Sequence, residues 1–138
     1  MVIDVGANIG RVSEVLAHRG ARVISFEPNS NAFEQLKGVA SRYSNIELRN
    51  EAAGVKNHQI KLFLHEEINN TDKDLTQPSS LISQKPNVSA NNYELVNEID
   101  FAQFLKSLDG KVELVKIDIE GYEIQLLNHL MNENAIDN

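Results

Sequence analysis

Cysteine is absent from the 138 residues, and that absence removes disulfides, thiolate metal sites and cysteine nucleophiles together. Long apolar runs are missing too. No stretch approaches the roughly 18 residues that cross a bilayer, and no signal-peptide-like apolar segment opens the chain. The chain therefore reads as neither membrane-spanning nor exported, and the cytoplasm is the expected compartment. Basic residues are scarce: 13 Lys and Arg face 20 Asp and Glu, for a formal charge of −7. Proteins that grip a phosphate backbone carry the opposite balance, and no basic run or basic–aromatic interleaving offsets it. The expected partner is a small molecule or a glycan, not nucleic acid and not a membrane.

Several motifs are missing as well. The opening turn lacks the G-x-G-x-x-G dinucleotide fingerprint, since Asn8 and Arg11 stand where its second and third glycines belong. No Walker sequence and no G-x-S-x-G appear, which argues against a P-loop kinase and a hydrolase elbow. The histidines, His18, His58, His65 and His129, fall on separate elements with no metal-binding spacing, so no metal site is expected.

What is present starts at Met1–Gly10. Val2, Ile3 and Val5 suit a buried strand, Gly6 and Gly10 bracket a turn, and a helical pattern follows from Arg11. Strand, glycine turn and helix form the first unit of a nucleotide-binding α/β sheet. With Asp4-x-Gly6-x-Asn8-x-Gly10 in place of the dinucleotide pattern, the turn reads as a cradle for a small adenosyl ligand rather than a pyrophosphate. Val12, Val15 and Leu16 predict the buried face of the first helix. A second strand built on Val23, Ile24 and Phe26 ends at Glu27-Pro28, and Asn31 with Glu34 predicts a capping box for a helix reaching Tyr43. Ile46 and Leu48 begin a third strand reaching about Ala52.

Ile60, Leu62 and Leu64 alternate with polar or outward residues and predict an antiparallel strand. Residues 66–92 are polar and aperiodic, a pattern of a mobile loop or a lid. Tyr93–Ile99 predicts a strand, and Asp100 caps a short helix bearing Phe101, Phe104, Leu105 and Leu108. Val112–Ile119 predicts another parallel strand, and Ile124, Leu127, Leu130 and Met131 mark a last helix. The length suits one domain with a real core, and no linker or internal repeat divides it.

Glu27 stands 21 residues after Gly6, where a carboxylate at a strand end accepts both hydroxyls of a ribose. Asp118 and Glu120 sit at the carboxyl end of the Val112–Ile119 strand, on one side of it if the strand continues that far. Open α/β sheets bind ligands at such ends, and two carboxylates there can orient a hydroxyl or take its proton. The plainer alternative for Glu120 is a cap for the last helix, and Lys116 reads as solvated or structural.

Three stretches together resemble the FkbM-type family of S-adenosylmethionine-dependent methyltransferases: Asp4–Gly10, Phe26-Glu27-Pro28 and Lys116–Glu123, the last being the most specific. Weaker pieces are Glu51-Ala52-Ala53, Ser79-Ser80-Leu81 and Ile99-Asp100. The resemblance implies a Rossmann-like sheet of order 3-2-1-4 with an inserted β-hairpin or loop region. It implies S-adenosylmethionine as cofactor, held by Asp4, Gly6, Ala7, Asn8, Gly10, Glu27, Pro28, Glu51 and Ala52. Asp118 and Glu120 become the candidate catalytic pair for methylating an oxygen of a small molecule or a glycan. Members carry an upstream segment and further strands, so the domain is expected to be incomplete at both ends. The Val112–Ile119 strand would then form an exposed edge prone to self-association. Two other readings are a non-catalytic cofactor-binding remnant and an NAD(P)-dependent oxidoreductase.

Overall fold

The structure, a computed structural model, describes residues 1–65 and 88–136. Four strands form a parallel sheet: β1 (Val2–Val5), β2 (Val23–Phe26), β3 (Ile46–Arg49) and β7 (Leu114–Ile117), in the order β3-β2-β1-β7. Val2 lies opposite Val23 on one side and Leu114 on the other, and Val23 lies opposite Ile46. This is the order expected for a Rossmann-like methyltransferase sheet. A second sheet has the order β4-β6-β5, from β4 (Ala52–Gly54), β5 (His58–His65) and β6 (Val88–Asp100). Strand β6 runs parallel to β4 and antiparallel to β5.

The third strand thus ends at Arg49, earlier than expected, and Ala52 belongs to the second sheet. Residues 88–92, expected in a loop, extend β6 instead, while 66–87, with Ser79-Ser80-Leu81, lie outside the described residues. The last parallel strand is shorter than expected, Leu114–Ile117. Among the described residues β7 pairs on one side only, with β1.

Alternation along the strands sorts side chains onto two faces. Ile3, Val5, Ile24 and Phe26 meet Phe101 and Ala102 of helix α3 (Phe101–Ser107) and Leu126 and Leu130 of helix α4 (Glu123–Asn132). Phe26 anchors this core with edge-on contacts to Phe101 and Phe104, ring centres 5.6 and 5.1 Å away. Each fully buried side chain of this size contributes about 1.5–3 kcal/mol of transfer free energy. On α4 the apolar stripe divides, because Leu126 and Leu130 face the core while Ile124 (75 % exposed), Leu127 and Met131 face outward.

The opposite face carries helices α1 (Arg11–His18) and α2 (Ser30–Ala40) and is polar at its centre. Ser25, Asp4 and Lys116 are opposite one another on β2, β1 and β7. Ser13 bridges this row from above, its hydroxyl donating to Asp4 Oδ2 at 2.6 Å and lying 2.9 Å from Ser25 Oγ. The row explains why the expected face of α1 is wrong. A helix seated over a buried carboxylate must turn a hydroxyl toward it, so Ser13 and Ala17 are buried while Val12 and Val15 (54 % exposed) face outward. Gly10 lets α1 and α2 approach, since a Cβ there would lie 2.7 Å from Leu36 Cδ1. The cap of α2 is Asn29, whose side chain accepts from the Ala32 N–H at 2.9 Å; the Asn31–Glu34 box does not form, and the helix stops at Ala40 rather than Tyr43. Asp100 caps α3 as expected, accepting from the Gln103 N–H at 3.1 Å. None of the helices is long and apolar enough to cross a membrane, among the described residues.

Candidate cofactor and acceptor site

At the carboxyl ends of β1 and β2 the chain opens into a cleft of about 710 Å³ including its mouth. Open parallel sheets bind ligands there because helix N-termini and bare turns converge on strand ends. Glu27 is its most heavily constrained polar group, 5 % exposed. Its Oε2 accepts the Asn8 N–H and its Oε1 the Asn29 N–H, both at 2.8 Å. The carboxylate therefore ties the Gly6–Gly10 turn to the start of α2. Burial pushes the Glu27 carboxyl above its ordinary value of 4.5; the Asn29 and Asn8 N–H groups and the Lys116 charge work against that, and the Glu94 charge adds to it. Asn50 steadies the segment by donating to the Glu27 carbonyl at 2.9 Å.

Of the residues named from the sequence, Gly6, Asn8, Glu27, Pro28, Glu51, Ala52, Asp118 and Glu120 line this one cleft. Asp4, Ala7 and Gly10 do not. Asp4 is fully buried and committed to Ser13 and Lys116, Ala7 donates its N–H to the Phe26 carbonyl at 2.9 Å, and Gly10 serves the α1–α2 packing. Asn8 adopts a left-handed φ of 51°, which asparagine tolerates better than most residues.

Asp118 and Glu120 reach the cleft by a different route from strand alternation. Strand β7 ends at Ile117, and Glu120 takes a left-handed φ of 55° in the loop beyond it. The Asp118 side chain is 66 % exposed, at the rim. Glu123 braces the loop before α4: its carboxylate accepts the Ile119 N–H at 3.1 Å and the Gly121 N–H at 2.8 Å.

The second sheet also contributes to the site. Leu62 of β5 lines the cleft, and Glu94 of β6 accepts from the Ser30 N–H at 3.0 Å and hydroxyl at 2.8 Å, joining the second sheet to α2. Alternation along the strands placed these residues but not the sheet that carries them. Lys116, read as solvated or structural, is a structural residue here. Its ammonium lies 3.1 Å from Asp4 Oδ1 and 3.8 Å from Asp118 Oδ2 and donates to the Gly6 carbonyl at 2.7 Å.

Two observations test whether an adenosyl cofactor suits these groups. Each Glu27 oxygen accepts one backbone N–H and has acceptor capacity left for a hydroxyl. Glu51 Oε2 is buried with no hydrogen-bond partner, and Arg49 Nη1 stands 3.9 Å away. An unsatisfied buried acceptor beside Ala52, Ala53 and Leu62 suits the amino edge of a flat base. The residues fit.

Residues 4–138 match the model of the methyltransferase FkbM domain. The chain belongs to that family. Among curated proteins, this FkbM-domain chain is similar to the ribosomal RNA small subunit methyltransferase A of Thermotoga petrophila, 41 % identical over 51 residues, which cover 37 % of this chain and 20 % of that protein. The proteins of the same name from Thermotoga maritima and Thermotoga neapolitana match at the same identity, with 18 % and 20 % of their lengths covered. The chain spans about a fifth of the length of these relatives.

Proposed function

We propose that this FkbM-domain chain binds S-adenosylmethionine and directs its methyl group to an oxygen of a small molecule or a glycan. The observation that carries the reading is Glu27, a buried carboxylate at the end of β2 that holds the Gly6–Gly10 turn and keeps acceptor capacity toward the cleft. In this reading Glu27 takes the ribose hydroxyls and Glu51 Oε2 the amino edge of adenine. Gly6 and Asn8 line the amino-acid end. When bound, the cofactor supplies a methyl group activated by its sulfonium. The chain's remaining work is alignment of the acceptor oxygen and removal of its proton. Asp118 at the rim is the candidate base and Glu120 its neighbour in the cleft.

The Thermotoga relatives are named for ribosomal RNA, but a formal charge of −7 weighs against a phosphate backbone as this chain's acceptor. The missing second glycine weighs against NAD. Isothermal titration with S-adenosylhomocysteine and with NAD tests the proposal. We expect S-adenosylhomocysteine to bind the more tightly, and tighter NAD binding would overturn the reading.

A further inference from the structure

Gly6 has a φ of +75°, and the peptide that follows it is held from both ends. On one side the Ala7 N–H donates to the Phe26 carbonyl at 2.9 Å. On the other, the Gly6 carbonyl accepts from Lys116 Nζ at 2.7 Å. Glycine is the residue most free to rotate such a peptide, so its orientation depends on those two partners. Lys116 is well placed to be one of them. It stands opposite Asp4 across the β1–β7 pair, and the buried Asp4 carboxylate holds its ammonium at 3.1 Å. The same ammonium faces the Val5 carbonyl at 3.5 Å and Asp118 Oδ2 at 3.8 Å. An ammonium has three protons, and its near neighbours here are two carbonyls of the turn and strand β1 and two carboxylates, Asp4 and Asp118. Lys116 does not itself line the cleft.

We infer that Lys116 is a positioning residue: it latches the Gly6 peptide to the end of β7, and so sets the turn that receives the amino-acid end of the cofactor. The inference rests on the cofactor reading above. It separates two parts of the ligand. The adenosine part meets Glu27 and Glu51, which follow β2 and β3; the turn reaches Glu27 through the Asn8 N–H, two residues beyond the Gly6 carbonyl that Lys116 holds. The amino-acid part meets the turn. Loss of the latch therefore weakens a ligand that has the amino-acid part and spares one that lacks it.

The test compares S-adenosylhomocysteine with 5′-methylthioadenosine, which keeps the adenosine and lacks the amino acid. Because the chain has no cysteine, Lys116→Cys carries a single thiol. Its thiolate displaces bromide from 2-bromoethylamine, forming one carbon–sulfur bond and restoring an ammonium at lysine length. Titrations run at about pH 8, above the range in which carboxylates titrate, so that removing the Lys116 charge leaves Glu27 ionised. We expect Lys116→Cys to lose about tenfold or more in S-adenosylhomocysteine affinity, the scale of a hydrogen bond to a charged group. Methylthioadenosine affinity stays within about threefold, and aminoethylation restores the first ligand. A second variant, Lys116→Met with Asp4→Asn, removes both charges of the buried pair and shows the same split. Equal losses for both ligands, no loss for either, or an unfolded variant that aminoethylation does not restore would each overturn the latch. Failure of the unaltered chain to bind S-adenosylhomocysteine overturns the cofactor reading, and the latch with it; that result is distinct from the others.

Discussion

The carbonyl oxygen of Asp118 occupies the space in which a side chain on Gly6 would begin. The first glycine of the turn is therefore required by the chain's own packing before any ligand arrives. The left-handed φ at Gly6 and the close approach of the β7 end act at the same residue. The floor of the cleft is shaped jointly by the turn after β1 and the loop after β7.

Gly6→Ala is expected to destabilise the fold by about 2–5 kcal/mol, combining a left-handed alanine with a backbone overlap. Gly20→Ala is the control: φ there is +86° but open space surrounds the position, and the expected cost is about 1–2 kcal/mol. Urea unfolding of the two variants measures the gap. Equal costs would mean that the Asp118 end moves aside freely.

Glu27→Ala should weaken S-adenosylhomocysteine binding by about 1.5–3 kcal/mol, the scale of hydrogen bonds to a charged group. Calorimetric titration of the folded variant checks this. An unchanged affinity would assign Glu27 to the turn alone.

The raised Glu27 pKa has a sign that can be read in two ways at once. Its carboxyl holds a proton more tightly folded than unfolded, so its contribution to stability is complete below 4.5 and is lost as pH rises through the folded value. Ligand binding runs the other way, because the hydroxyls need the ionised form. S-adenosylhomocysteine affinity is expected to fall on acidification at a pH above 4.5, and Glu27→Gln should flatten that fall. Titrations across the pH range decide it, and an affinity loss that persists in Glu27→Gln would assign it to another group.

Asp100 carries the opposite sign. Burial works to raise its pKa, but the hydrogen bonds from His129, 2.9 Å from Oδ1, and from the Gln103 N–H outweigh it and hold it below 3.8. Its stabilisation is present above 3.8 and disappears as pH falls through the lowered value. Asp100→Ala should cost about 0.5–2 kcal/mol at neutral pH, the range for a lost helix cap, and less in acid. Thermal melts at the two pH values measure the difference.

The parallel sheet was legible because its strands are short runs rich in Val, Ile, Leu and Phe that end at turns, and both Glu27 and Asp118 fall at strand ends that the pattern marks. Helix faces were less legible. Periodicity finds apolar stripes but says nothing of a buried carboxylate beneath the helix, and Asp4 is what turns Ser13 inward and Val15 outward. The partners of Lys116 escaped for a related reason. A lysine in a strand usually reaches solvent, and its partner Asp4 lies on a neighbouring strand whose pairing no local pattern reports. The bracing of the last loop by Glu123 was not legible either, because nothing in the residue type announces the left-handed turn at Glu120.

Lys116 and Gly6 are 110 residues apart in the chain. Strand β1 and its turn are therefore synthesised well before their neighbour β7. Closing so long a loop costs entropy before any contact rewards it, and such pairings form late and slowly. The Gly6–Gly10 turn is thus synthesised well before the partner that fixes it. A nascent chain that has reached β3 but not β7 has the glycines of the turn without the wall that shapes them, so the shape of the cleft arrives with β7 rather than with the motif.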